Sequence, residues 1–296
     1  MRACLDCLPC LAKNATELAR RSAGGDAALE ARIAATGMEI LGAAATDGYP
    51  LPPPCYARRL IDNALAQSKG TVPDPWAAEK RTSTELALKL MDRLPELPGW
   101  DPDSFESRVR LAVAGNILDF SIYADLDIAA AMETMATAFT KPVDAAAIAA
   151  LKAKMDAAKS ILWIFDNCGE AVFDRLLMEP YRDKVTLAVR GKPAFNDLTR
   201  DELAESGYPE GFAAGVVSNE DGVPGVVDAT CGKAFREAFA AADLIVAKGQ
   251  ANFETMNERT DKPIAFLFLA KCPVVCRAID AKPKTIQVRL REPLGA

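Results

Sequence analysis

"ILWIFDNCGEAVFD", residues 161–174, opens as five apolar residues in a row and turns polar at Asp166 and Asn167, with Cys168, Gly169 and Glu170 following. An apolar run of that length, ended by turn-forming residues, reads as a strand buried on both faces. The pattern then repeats. Short apolar runs recur at "VTLAVR" (185–190), "DLIVAK" (243–248), "IAFLFLA" (264–270) and "TIQVRLR" (285–291), with helical stretches between most of them. Strands alternating with helices predict a mainly parallel sheet covered on both faces.

Before residue 160 the chain reads as helix. Apolar positions in "LDCLPCLAKNATELARR", "DAALEARIAATGMEILGAAA", "CYARRLIDNALAQ" and "AAEKRTSTELALKLMDRL" follow a 3.6-residue period, and alanine and leucine dominate. Proline clusters at "YPLPPPCY" (49–56) and "LPELPGWDPD" (94–103) separate these segments. "FESRVRLAVAGNILDFSIY" (105–123) then reads as one long helix carrying Asn116 and Asp119, with "DIAAAMETMATAF" and "DAAAIAALKAKMDAAK" after it. The organisation expected is a helical region over 1–104 and an α/β region over 105–296.

Composition narrows the function. The 296 residues, 50% hydrophobic, suffice for a sizeable core, and a net charge of −6 with a pI near 5.0 provides no broad cationic field for nucleic acid or an anionic membrane. The N-terminus is charged rather than apolar and the longest apolar run is "IAFLFLA", so neither a secretory signal nor a membrane span is read and a cytoplasmic location is expected. In that reducing setting the eight cysteines are thiols or metal ligands rather than disulfides. The chain has no histidine, which removes Ser-His-Asp and Cys-His nucleophilic machinery, HExxH zinc sites and histidine general bases.

The unusual polar residues gather at strand ends. Asp166 and Asn167 follow the first strand; Arg190, Lys192, Asn196 and Asp197 the second; Lys248, Gly249, Gln250 and Asn252 the third; Lys271 the fourth. Hard oxygen donors from Asp166, Asn167 and Asp197 suit a divalent cation such as magnesium or manganese. Lysines and Arg190 around them suit an anionic group such as phosphate. The alternative is local: Asp166 to Gly169 as a turn that caps a helix over 169–179, and Asn196, Asp197 or Thr199 as the cap of a helix beginning near residue 200.

The motifs "GNILDF", "FDNCGEAVFD", "VRGKPAFND", "DGVPGVVDATCGKAF", "LIVAKGQANFE" and "LAKC", in this order, resemble the DUF89 family of damage-control phosphatases, the ARMT1-like proteins. The likeness runs from about residue 110 to 276. "CLDCLPC" at the N-terminus is similar to the cysteine-bearing start of the compact prokaryotic subfamily, which extends it to the whole chain. The resemblance implies a helical N-terminal region packed on a three-layer α/β/α domain, with a metal-dependent phosphatase site at the strand ends. Its metal ligands fall on Asp166, Asn167 and Asp197, and manganese, nickel, cobalt or magnesium is the implied ion. Glu170 matches the glutamate of its DN-x-GE motif, Lys248, Asn252 and Lys271 its later basic and amide positions, and Asn116 and Asp119 its GN-x-x-D motif. Cys168 stands where the pattern favours a small residue such as alanine.

Catalysis is thus expected from Asp166, Asn167, Asp197, Lys248 and Lys271, the two lysines contacting phosphate, with Asn116, Asp119, Glu170, Arg190, Asn196 and Asn252 around the substrate. Either water or a carboxylate such as Asp166 can serve as nucleophile. The expected substrate is a small phosphorylated metabolite, damaged or sugar-type, with specificity from residues near 101–125 and 207–231. Carboxyl methyl transfer from S-adenosylmethionine and noncatalytic binding of a metal or phosphometabolite are the competing readings; no G-x-G-x-x-G loop follows a strand to support the first.

Cys4, Cys7 and Cys10 form a C-x2-C-x2-C run that can hold zinc or an iron–sulfur cluster, with Cys55 as a possible fourth ligand, or can simply be small buried hydrophobes. Cys272 and Cys276 are a further pair. Trp163, Phe165, Phe173, Phe266 and Phe268 are expected in the core.

Overall fold

Alternation along the strands organises the molecule. In the computed structural model, which describes residues 1–69, 72–116, 128–259 and 261–293, the strands are β1 (Ile161–Ile164), β2 (Val185–Val189), β3 (Gly215–Ser218), β4 (Leu244–Lys248), β5 (Ile264–Ala270) and β6 (Thr285–Arg291). They form one sheet in the order β3-β2-β1-β4-β5-β6, parallel except for the β5–β6 pair. Successive side chains on a strand point to opposite faces. Ile161, Trp163 and Phe165 therefore enter one apolar core while Leu162 and Ile164 enter another.

The first core is covered by α5 (Phe105–Ala114), α7 (Ala145–Ala157) and α8 (Cys168–Met178), through residues such as Val109, Leu151 and Leu177. The second is covered by α9 (Lys233–Ala241), α10 (Gln250–Met256) and α11 (Pro273–Ala278), through Phe235, Phe253 and Val275. Three layers result, as the alternating pattern and the resemblance imply. Trp163, Phe165, Phe173, Phe266 and Phe268 are all buried, as expected.

The N-terminal helices are α1 (Leu8–Ser22), α2 (Ala27–Thr46), α3 (Pro53–Ser68) and α4 (Ala77–Asp92). The first three share a core built on Leu11, Leu18, Ile33, Leu41 and Leu60. Leu86 and Leu90 of α4 pack instead with Val172 and Phe173 of α8 and Met135 of α6 (Ile128–Thr140). The helical region is thus joined to the sheet layers through α4 on α8 and α3 on α10.

Three local expectations change. β3 lacks a long apolar run: it is a four-residue, half-buried edge strand, so it carries little of the hydrophobic signal that marks its neighbours. Residues 201–207 form turns rather than a helix; a single helical bond, Ser206 N–H to Glu202 O at 3.0 Å, is followed by Gly207 at φ 92°, which ends the coil. The helix expected over 105–123 stops at Ala114, with Gly115 and Asn116 in a turn. Asp119 lies outside the described residues.

Candidate active site

Strand order places the site. β1 is flanked by β2 on one side and β4 on the other, so the chain reverses its direction of travel across the sheet at β1 and β4 and opens a crevice at their carboxyl ends. Asp166 leaves β1 there, Arg190 leaves β2, and Lys248 and Gly249 end β4. Gly249 has φ +80° and ψ 157°, and a Cβ on it would lie 2.1 Å from Cγ of Asp166. Glycine is needed there both for the backbone angle and for the space the carboxylate occupies.

The side chains of Asp166 and Asn167 do not cap α8. Asp26, Ser104 and Asp144 cap α2, α5 and α7 with their side chains, whereas Asn167, at the equivalent position of α8, makes no side-chain capping bond. Its amide donates instead to Oδ2 of Asp166 at 3.2 Å. Asn167 also forms an antiparallel bridge with Asp197, and the Leu198 N–H donates to the Asp166 carbonyl at 2.8 Å. The three expected metal ligands are therefore neighbours, although Asp197 is thirty-one residues further along the chain than Asp166.

Each carboxylate is held from one side. Asn116 donates to Oδ2 of Asp166 and to Oε2 of Glu170, both at 2.9 Å. Its approach relies on Gly115, where a Cβ would stand 2.8 Å from the Glu170 Cα. Arg190 donates from Nε to Oδ2 of Asp197 at 2.7 Å, from Nη1 to the Gly225 carbonyl at 2.8 Å and from Nη2 to Oδ1 of Asn252 at 3.2 Å. Asn252 donates to the carbonyls of Lys248 at 2.6 Å and Phe165 at 3.1 Å. Arg190 and Asn252, expected beside the substrate, bind each other and link the ends of β1, β2 and β4 with the Gly225 loop.

Below them lies a buried ionic cluster. Lys248 donates from Nζ to Oε1 of Glu170 and Oδ1 of Asp174, both at 2.6 Å, and to the Ala112 carbonyl at 2.8 Å. All three ionic side chains are at most 1% exposed. Asp174, which also accepts from the Trp163 indole at 3.3 Å, was not among the expected residues. Its signal lay in the opening stretch: Glu170 and Asp174 are four apart on α8 and so share a face.

Among the described residues four buried carboxylates stand here with two buried cations, Arg190 and Lys248. Burial, reinforced by Asp166 and only partly offset by Arg190, pushes Asp197 up to about 7; burial also raises Asp166, against the opposing charges of Arg190, Lys271 and Lys248. Burial pushes Glu170 up to about 8 and Asp174 to about 6 against the pull of Lys248. A divalent cation would relieve the repulsion between Asp166 and Asp197, and their donor set of two carboxylates and the Asn167 amide matches a hard ion. The described hydrogen bonds to both carboxylates end on Oδ2.

The remaining expected residues lie around this centre. Lys271 is exposed at the end of β5, its backbone N–H donating to Oε1 of Gln250 at 2.9 Å, and its charge acts on Asp166. Asn196 accepts the Cys168 N–H through its carbonyl at 2.9 Å and lines a cavity of about 330 Å³ with Lys13, Asn14, Arg21, Trp76 and Phe195. The Cys168 thiol is buried in the first core. A second set missed in the sequence is Lys80, 1% exposed, bound to Asp74 at 2.9 Å and Glu202 at 3.1 Å; Glu202 in turn accepts from Thr199 N and Oγ1. It anchors the loop carrying Asp197 to α4.

Comparison with known proteins identifies the family and agrees with the fold. Residues 3–286 match the model of the damage-control phosphatase ARMT1-like domain. A damage-control phosphatase of Pyrococcus horikoshii is 35% identical over 243 residues, covering 80% of this chain and 81% of that protein. A damage-control phosphatase of Archaeoglobus fulgidus is 30% identical over 215 residues, covering 70% and 73%. A crystal structure of a DUF89 family protein from Pyrococcus horikoshii superposes with a TM-score of 0.83 at 29% identity, covering 97% of this chain and 98% of that one. The chain belongs to the DUF89 family, the damage-control phosphatase ARMT1-like proteins.

Proposed function

We propose that this chain is a metal-dependent phosphatase acting on phosphate monoesters of small metabolites. The observation that carries the reading is the convergence of Asp166, Asn167 and Asp197 at the strand-order reversal, with two mutually repelling buried carboxylates and uncapped side chains. The names of the relatives support the phosphatase class.

Asp166, Asn167 and Asp197 would hold the ion, which when bound supplies charge neutralisation for phosphate oxygens. Asn116 and Asn167 fix the Asp166 carboxylate through Oδ2, and Arg190 fixes Asp197. Lys271, exposed at the end of β5, would meet a nonbridging phosphate oxygen. Lys248 is wholly buried and bound to carboxylates, so it acts through Glu170 and Asp174 by setting their charge rather than by touching phosphate. Attack comes from water or from Asp166; an acid-quenched phosphoprotein labelled at Asp166 would identify the second.

The test is phosphate release by tag-free protein from p-nitrophenyl phosphate and a panel of phosphometabolites, with manganese, cobalt, nickel or magnesium. Release that needs metal and disappears in Asp166→Ala, with the fold retained by circular dichroism, supports the reading. No release with any metal would overturn it, and calorimetric binding of S-adenosylmethionine by the same protein would then point to methyl transfer.

A further inference from the structure

The N-terminal cysteines lie outside the carboxylate site, and the fold brings a fourth cysteine to them. Leu5–Cys7 is a single 3-10 turn leading into α1, and the Cys7 N–H donates to the Cys4 carbonyl at 2.9 Å. That turn sets Sγ of Cys4 and Sγ of Cys7 3.9 Å apart. In a tetrahedral thiolate site with metal–sulfur bonds of about 2.3 Å, adjacent sulfurs are about 3.8 Å apart. The pair already spans one edge of such a tetrahedron.

The sequence offers Cys55 as the companion ligand, and the fold offers Cys272 as another. Cys55, on α3, has Asp221, Arg59 and the terminal ammonium as its charged surroundings. Cys272 lies at the start of α11, close enough for its charge to act on Cys7 and Cys10. Two contacts bring its helix to the cysteine run and a third fixes its start on α10. Arg277 of α11 pairs with Asp6, inside the cysteine run; Val274 packs into the core that includes Cys7 and Leu11; and the Cys272 N–H donates to Oε1 of Gln250 at 3.1 Å. Cys10 is exposed, giving the cluster an entry path, and must swing its side chain inward to complete the set. Among the described residues no three thiol or carboxyl groups already enclose an ion, so binding requires both Cys10 and Cys272 to turn their thiols toward the Cys4–Cys7 pair.

We propose that Cys4, Cys7, Cys10 and Cys272 form a thiolate site for a soft divalent cation of the zinc type, separate from the oxygen-donor site at Asp166 and Asp197. Each thiol releases its proton to solvent as its metal–sulfur bond forms, with no change of oxidation state. Gln250 accepts from the backbone amides of both Lys271 and Cys272, so the bound ion would also fix the segment that carries Lys271.

Cobalt distinguishes this site from the other, because only sulfur ligands give sulfur-to-cobalt charge-transfer absorption in the near ultraviolet. Reduced, tag-free, full-length protein titrated with cobalt should develop that absorption together with intense tetrahedral visible bands, and zinc should displace them. Cys10→Ser, at an exposed position, and Cys272→Ser should each weaken cobalt binding at least about tenfold, since loss of outer-sphere partners alone costs about 10- to 100-fold. Cys55→Ser and Asp166→Asn should retain the charge-transfer signal. Absence of that signal in the reduced wild-type protein, or its loss in Cys55→Ser but not in Cys272→Ser, would overturn the assignment. So would a Cys4–Cys7 disulfide whose reduction restores no metal binding. Phosphatase activity is not the readout, so failure here leaves the proposed reaction standing.

Discussion

Nζ of Lys248 stands 2.6 Å from Oε1 of Glu170 and 2.6 Å from Oδ1 of Asp174, with all three groups inside the protein. One cation thus serves two carboxylates on one face of α8, directly beneath the Asp166 crevice. Removing the cation leaves two buried acids without their partner. Lys248→Met should destabilise the protein by about 3–5 kcal/mol, the usual cost of breaking a buried ion pair by one partner. Urea unfolding measures it, and the Lys248→Met/Glu170→Gln double variant should recover part of the loss; equal midpoints for single variant and wild type would refute the coupling.

Gly249 is the position where a single methyl group reaches the site. Its φ of +80° lies in a region nearly reserved for glycine, and the added Cβ would overlap the Asp166 carboxyl. Gly249→Ala should cost about 1–3 kcal/mol in backbone strain. Displacement of Asp166 by about 1 Å should lower phosphatase kcat by about a hundredfold. Steady-state kinetics beside a melting curve separates the two effects, and unchanged kcat would contradict the placement.

Asn116 bridges Asp166 and Glu170 through one amide nitrogen. Asn116→Ala removes both bonds and should weaken metal binding by about 10- to 100-fold, as loss of a ligand's orienting partner does. Asn116→Asp should be worse than alanine for stability, because it adds a fifth buried carboxyl to the cluster. Calorimetric manganese titration and urea midpoints test these separately.

Stability should fall as pH rises. Unfolded aspartate and glutamate titrate near about 4, whereas burial lifts Asp174 to about 6, Asp197 and Glu254 to about 7 and Glu170 to about 8. Between these limits the folded chain binds more protons than the unfolded one, so the contribution is fully present below about pH 4 and is lost on rising to about 8. Manganese, which favours the ionised aspartates, should therefore stabilise more at pH 8 than at pH 5. Urea midpoints at both values with and without the ion measure this, and a metal-free midpoint that increased with pH would reverse the sign.

Much of the fold was legible because its signals are local. β5 and β6 coincide with "IAFLFLA" and "TIQVRLR", since long β-rich runs bounded by prolines and turns leave little choice of boundary. β3 was illegible: it is short, half-buried and lies on the sheet edge, so burial imposes little pattern on it. The site was legible as residue types at strand ends. What those residues touch was not. Arg190 and Asn252 read in sequence as strand-end polar residues, and only the fold shows Arg190 bound to Asp197, Gly225 and Asn252, and Asn252 to the carbonyls of Lys248 and Phe165.

The amino-acid sequence by itself determined the alternation of strand and helix, the chemistry available without histidine, and the set of oxygen donors gathered after apolar runs. Those follow from hydrophobic period and residue type, which neighbouring residues fix. Tertiary structure alone decided that β1 lies between β2 and β4, that Asp197 meets Asn167, and that Lys248 is committed to Glu170 and Asp174. These are contacts between distant segments, set by the order in which strands join the sheet and by the packing of helices on its faces, neither of which any local pattern encodes.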